Sequence, residues 1–323
     1  MGRYIVKRLL WMIPVILGVT LLVFTLMYFC PGDPASMILG PEATPEQLAA
    51  KRAELGLDKG FVTRFLDYIY KAFIKFDLGK SYVNNRSVMG EIVSRFPNTF
   101  IIAIFSTLLG ALLGIPLGIT AATNQFNWRD NVVMVFSLAF ASIPNFWLAL
   151  MASLLFALKL GWLPATGFSS PKHAIMPLAV MALSGMGSIA RFTRSSVLDC
   201  IRQDYITTAR AKGQKESVVI YKHCLRNALI PVITSLGTRF GHQLGGTIVI
   251  EQVFTIPGLG IYMTNGISNR DYPVVMGGVL VSAIAFSLVM LLVDIGYAFA
   301  DPRIKAQYQN ANKKKAPAKE AKA

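Results

Sequence analysis

Long apolar stretches separated by shorter polar ones dominate the chain. A membrane-spanning helix needs about 20 apolar residues, and six stretches meet or approach that length. They are residues 9–30, 99–123, 132–158, 174–190, 228–250 and 274–300. The fourth is short and the fifth contains Arg239 and His242, so the alternative is five spans with a re-entrant fourth segment.

The apolar pattern also divides the chain into four parts. These are a terminus with the first span (1–30), an external helical segment (31–98), a five-helix core (99–300) and a basic tail (301–323). Thr44 to Gln47 is typical of a helix start, and apolar residues at helical spacing follow from Phe61 to Phe76. That apolar stripe either packs against the spans or docks an external partner.

Composition supports a membrane protein and excludes other classes. The 323 residues are 54% hydrophobic and only 15% charged, yet the net charge is +15. Such a chain cannot bury its apolar surface in one water-soluble core. The polar segments that carry its charge are too short to indicate a nucleic-acid partner. The sequence therefore predicts an all-α polytopic membrane protein.

The charge surplus predicts an orientation. With six spans and an inner N-terminus, the inner segments hold 19 basic and 6 acidic residues, a net of +13, against +3 outside. Basic residues concentrate in cytoplasmic loops, so both termini are predicted to be cytoplasmic. Basic segments on that face are also expected to attract membrane lipid.

Candidate chemistry within the chain is sparse. Gly79-Lys80-Ser81 resembles the end of a phosphate loop, but Ile74 stands where that loop needs its first glycine. The three cysteines have no metal-binding spacing, which predicts no metal site. Ionisable residues within the spans are too few to favour an ion-coupled carrier, and Arg239 and His242 either make interhelical contacts or line a pathway.

The inner loop 191–227 is the most informative segment. It is too polar to span, and residues 205–213 read as a short helix ended by a glycine. A second helical piece begins near Val218, so the loop predicts a compact knob. Such a knob could seat in a cleft of a partner protein or lie on anionic lipid.

The loop carries a family resemblance. Residues 208–213 and 223–231 resemble the EAA-type loop of ABC importer permeases, in the dipeptide/oligopeptide/nickel family and its "B"-type subunit. Segments 31–34, 251–254, 257–260, 270–273, and Asp294 with 301–303 resemble other parts of that family. Thr207 stands where the loop's glutamate is expected, so an acidic contact to the ATPase is not assumed.

The resemblance implies a type I ABC importer permease (MetI-like) fold with six transmembrane helices, in the inner membrane of a prokaryote. It implies a second homologous permease, two ATPase subunits that bind ATP and Mg, and an external binding protein. This chain would be no enzyme and hold no cofactor, and it would form half of a pathway for di- or oligopeptides. Nickel chelates or other small solutes are the alternative, and an ion-coupled secondary carrier is a more distant one.

The resemblance also implies candidate site residues, none of them catalytic. The expected coupling helix places small residues at 209, 211 and 213 for close approach, with Arg210 and Lys212 reaching acidic groups of the ATPase. The coupling candidates are Tyr205, Thr207, Ala209, Arg210, Ala211, Lys212 and Gly213. The pathway or external-loop candidates are Arg239, His242, Phe254, Pro257, Gly258, Arg270 and Asp271.

Overall fold

A computed structural model describes residues 2–300, and these residues are almost entirely helical. The predicted basic tail 301–323, including the 301–303 motif, lies outside the described residues. The helices are α1 (Gly2–Phe29), α2 (Pro34–Leu39), α3 (Pro45–Glu54), α4 (Phe61–Ile74), α5 (Val88–Thr123), α6 (Trp128–Ser142), α7 (Asn145–Ala152), α8 (Pro171–Ile201), α9 (Asp204–Ala211), α10 (Glu216–Val218), α11 (Leu225–Gly246), α12 (Ile248–Val253), α13 (Leu259–Ser268) and α14 (Tyr272–Ala300). Two π-helical segments, Ser153–Lys159 and Val219–Cys224, continue α7 and α10.

Four helices in the described part of the chain are long and apolar enough to cross a membrane: α1, α5, α8 and α14. The bent pair formed by α6 with 145–159 would make a fifth. The predicted fifth span corresponds to α11, which has 22 residues but is not among these by length and composition. The alternative with a re-entrant fourth segment is wrong, because α8 is one helix of 31 residues.

The third predicted span, 132–158, is not one continuous helix. The chain bends by 94° between Ser142 and Asn145. Pro144 lacks an N–H and disfavours helical geometry at the residue before it, and Ile143 is indeed extended with ψ 126°. The bend therefore has a local cause in the sequence, which a hydropathy count does not register.

Helices α5 and α8 form the tightest pair of the bundle. Gly110, Gly114 and Gly118 lie at four-residue spacing along α5, so they share one face. A Cβ at Gly114 would lie 2.8 Å from the carbonyl oxygen of Met186 on α8. The glycines therefore allow the two backbones to approach without intervening side chains.

The bundle has two distinct ends. At the knob end, residues 202–224 (the knob) follow α8 and pack beside the end of α5. At the opposite end, the loop end, α4 and α13 pack on the first turns of α5 and α14. Both ends are held by contacts between segments far apart in sequence.

Two predictions for the external segment are confirmed and one boundary differs. Thr44 accepts from the backbone N–H of Gln47 while the Gln47 side chain accepts from the Thr44 N–H, as a capping box does. The apolar stripe of α4 packs on α1, where the Phe24 ring lies 5.2 Å from that of Phe61. The predicted boundary at residue 99 falls inside α5, which begins at Val88.

Candidate functional site

The knob is built on an apolar face of α9. Ile206 and Ala209 are buried, with 0% and 8% of their surface exposed, whereas the other residues of α9 are exposed. They pack against Val197 of α8, Val219 of the π-helical segment and Ile119 of α5. Because the knob shares one apolar cluster with α5, α8 and α11, it is expected to move with them as one body.

This geometry corrects the prediction for Ala209. Ala209 was expected to permit close approach of a partner, but its side chain faces the chain's own core. Ala211 and Gly213 are exposed, and Gly213 has φ +74° with open space where a Cβ would be. The small surface available to a partner is therefore at 211 and 213 only.

Arg210 has an acidic partner within the knob itself. Its guanidinium makes a two-point ion pair with Glu216, with nitrogen–oxygen distances of 2.6 and 3.1 Å. Arg210 lowers the pKa of the Glu216 carboxyl, so the pair stays charged in neutral solution. Arg210 thus joins α9 to α10, whereas Lys212, the other predicted cationic contact, is exposed and makes no ion pair with residues 2–300.

Further contacts fix the knob to α8 and α11. The Asn227 side-chain amide donates to the Tyr205 hydroxyl at 3.0 Å, and burial raises the pKa of that hydroxyl. Cys224 lies fully buried with its thiol directed at the Val197 carbonyl, and burial raises its pKa to about 11. Cys224 is therefore a structural apolar residue, as its lack of partner spacing predicted.

An ion pair that the sequence did not predict joins two helices at the knob end of the bundle. Arg194 of α8 donates to both carboxylate oxygens of Asp130 on α6, at 2.6 and 2.7 Å. Asp130 is 3% exposed and also accepts from the backbone N–H of Phe126. The partners are 64 residues apart, so no spacing in the sequence relates them.

The loop end is organised around one buried carboxylate. Glu251 is fully buried and accepts from the hydroxyls of Thr99 and Thr247 at 2.7 and 2.8 Å, and from the Ile261 N–H at 2.9 Å. The Thr99 hydroxyl in turn accepts from the Leu259 N–H. The carboxylate therefore holds the start of α5 to the start of α13.

The external-loop candidates take part in this structure. Gly258 lies directly on the Glu251 carboxylate, where no Cβ would fit, and the carbonyl of Pro257 accepts from the Asn98 amide. Phe254 is 1% exposed and belongs to the apolar cluster that includes Ile102 of α5 and Ala149 of α7. This part of the loop therefore connects α12 to α13 through buried contacts of Phe254 and Gly258, while Pro257 is exposed.

Arg270 and Asp271 tie the loop to the external segment. Asp271 is 2% exposed and accepts from the hydroxyl of Ser81 and the backbone N–H of Tyr82. Arg270 lies against Gly32 of the 31–34 turn. Segments 31–34 and 270–273, which resemble the family in separate parts of the sequence, are therefore in direct contact.

Arg239 and His242 lie one turn apart on α11 but meet different neighbours. The guanidinium of Arg239 lies over Gly185 of α8, where a Cβ would be 2.7 Å from Nη2. His242 is exposed, and its ring centroid lies 5.9 Å from that of Phe286 on α14. The structure does not bring the two side chains into one site.

The chain resembles known protein families along nearly its whole length. Residues 114–306 match the family described as "Binding-protein-dependent transport system inner membrane component". Residues 1–103 match the family described as "Binding-prot-dependent transport system membrane comp, N-term".

Individual relatives cover the same length. The glutathione transport system permease protein GsiC of Salmonella choleraesuis is 43% identical over 305 residues, covering 94% of this chain and 99% of its own. The dipeptide transport system permease protein DppB of Alkalihalophilus pseudofirmus is 40% identical, covering 94% and 100%. A solved inward-facing structure of the MetNI methionine ABC transporter aligns with a TM-score of 0.57 at 19% identity, over 66% of this chain and 97% of that one, which shows a shared fold.

Proposed function

Because the chain belongs to the family of binding-protein-dependent transport system inner membrane components, we propose that it forms half of the translocation pathway of an ATP-driven importer for di- or oligopeptides. The predicted family and the all-α, MetI-like permease fold are confirmed. The curated relatives named for glutathione and dipeptide transport favour peptides over nickel chelates.

The knob supports a coupling role. We infer that the exposed side of α9, with Tyr205, Thr207, Ala211, Lys212 and Gly213, docks an ATPase subunit. Ala209 and Arg210 act inside the knob, where they hold α9 to the rest of the chain. The single observation that carries this proposal is that a polar, exposed helix is joined through one buried cluster to α5, α8 and α11.

The complete importer contains partners that supply the remaining chemistry. We propose a second homologous permease that completes the pathway, two ATPase subunits that bind ATP and Mg, and an external binding protein that delivers the peptide. The knob end and both termini would face the cytoplasm, as the charge distribution predicts. Closure of the ATPases would then move both knobs and switch the pathway between its two orientations.

Gly213→Trp tests the coupling assignment. A bulky side chain on the exposed corner of the knob obstructs docking, and a Cβ at this position has no neighbour within 4 Å in this chain. We expect the reconstituted importer to insert normally and to hydrolyse ATP, but with peptide uptake lost. ATP hydrolysis and uptake of a labelled dipeptide into proteoliposomes would be measured at equal protein content.

The control for this test is Gly213→Asn. Asparagine tolerates a positive φ better than most residues, so this variant separates backbone strain from obstruction. We expect it to keep most of the uptake. Normal uptake by Gly213→Trp would refute the coupling role, and uptake driven by a proton or sodium gradient without ATP would instead support a secondary carrier.

A further inference from the structure

Among residues 2–300, Arg239 has no counter-ion, and it lies in the middle of the bundle. It lies at the level of Gly185, near the midpoint of α8. Its Nε is enclosed and has no hydrogen-bond partner, and no ion pair joins it to any other residue in 2–300. A charge at membrane depth is costly, so such residues usually serve a function and have a partner.

Four carboxylates on the surrounding helices are already occupied, and a fifth, Asp199, is exposed near the end of α8, 14 residues from Gly185. Glu91 pairs with Arg95 at 2.7 Å, Asp130 with Arg194 at 2.6 Å and Asp294 with Arg8 at 2.9 Å. Glu251 is satisfied by two hydroxyls and a backbone N–H. Residues 2–300 therefore show no counter-charge for Arg239.

The fold keeps space for the guanidinium. A Cβ at Gly185 would lie 2.7 Å from Nη2 and 2.8 Å from Nε, so any other residue would displace Arg239. On the adjacent turn of α11, Gln243 is held by the hydroxyls of Ser106 and Thr107, both at 2.9 Å. Arg239 is thus half-buried, with Nε and Nη2 of its guanidinium against Gly185 of α8.

We propose that Arg239 binds the carboxylate of the peptide during its passage and selects substrates that carry one. An arginine fork presents two parallel N–H donors to a carboxylate, which is the group that every unmodified peptide bears at its C-terminus. This inference rests on the proposed function, since it assigns the recognised group within that pathway. It adds a specificity determinant in the membrane to whatever the external binding protein selects.

The test compares a dipeptide with a free C-terminus and the same dipeptide with a C-terminal amide. Uptake would be measured in proteoliposomes containing the whole importer with ATP and the binding protein. The variants are Arg239→Gln, Arg239→Lys and Gly185→Ala, and Lys172→Gln serves as the matched control because it removes an exposed cation from α8. The binding protein is identical throughout, so its own preference cancels in the comparison between variants.

We expect Arg239→Gln to lower uptake of the free acid about tenfold or more, with little effect on the amide. Arg239→Lys should retain part of the preference for the acid. Gly185→Ala should reproduce the Arg239→Gln pattern without a change in charge, because it displaces the guanidinium. Lys172→Gln should keep the wild-type ratio of acid to amide uptake.

Three results would overturn the inference. An unchanged acid-to-amide ratio in both Arg239→Gln and Gly185→Ala would show that Arg239 does not recognise the carboxylate. Loss of the second permease from the purified Arg239→Gln complex would show that Arg239 pairs across the permease interface instead. A wild-type importer that hydrolyses ATP but takes up neither peptide would refute the proposed function itself, which distinguishes that failure from the other two.

Discussion

Replacing Glu251 by alanine should loosen the whole loop end of the bundle. The carboxylate is fully buried and accepts hydrogen bonds from the Thr99 hydroxyl, the Thr247 hydroxyl and the Ile261 N–H. A buried donor left without an acceptor costs about 1–3 kcal/mol, so three of them with partial relaxation cost on the order of 4 kcal/mol. That loss corresponds to a fall in the unfolding midpoint on the order of 5–10 °C.

The measurement is thermal unfolding of the detergent-solubilised chain, together with limited proteolysis of the segment between α12 and α14. Glu251→Ala should lower the midpoint and expose this segment to protease. Glu251→Gln keeps one acceptor oxygen and should lower the unfolding midpoint by about half as much as Glu251→Ala does. Glu54→Ala removes an exposed carboxylate that pairs with Lys51 at 2.9 Å, and such pairs contribute about 0–1 kcal/mol.

The reasoning is refuted if Glu251→Ala and Glu54→Ala unfold at the same midpoint with the same protease sensitivity. In that case the buried carboxylate would contribute no more than a surface one. The assigned role of the 257–260 turn as a connection held by buried contacts would then fail as well, since that turn is built on Glu251.

Two other contacts can be tested in the same way. Gly114→Val should reduce the yield of folded protein, because its Cβ would lie 2.8 Å from the carbonyl oxygen of Met186. Gly90→Ala should not reduce the yield, because the nearest neighbour of its Cβ lies at 3.8 Å. Equal yields of the two variants would contradict tight α5–α8 packing. The Arg8–Asp294 ion pair joins α1 to α14 at 2.9 Å, so Arg8→Asp or Asp294→Arg alone should lower the unfolding midpoint. The double variant, which reverses the pair, should recover that midpoint. A double variant no more stable than the single variants would contradict a direct ion pair.

Local patterns predicted those elements that depend on neighbouring residues in the chain. The apolar stretches, the cap at Thr44 and the glycine after α9 were all predictable, because hydropathy and capping act within a few residues. Pro144 indicated a bend at this position, but the angle of the bend depends on what α7 packs against.

Tertiary contacts account for what the sequence did not predict. Ala209 and Ala211 are identical in type, and only the packing of α9 on Val197 and Val219 decides which one is buried. The Arg194–Asp130 pair joins residues 64 positions apart, which no spacing rule relates. The sequence could therefore locate the candidate coupling helix without assigning its faces.

The contact between Asp271 and Ser81 has a consequence for how the protein is made. The two residues are 190 positions apart, so the ribosome synthesises the segment around Ser81 long before its partner exists. Until α14 has entered the membrane, the Ser81 hydroxyl and the Tyr82 N–H lack their buried acceptor, and the start of α5 lacks Glu251. The segment around Ser81 is thus completed only late in translation, and a chain that stops before Glu251 would expose unpaired groups of this segment to quality-control proteases.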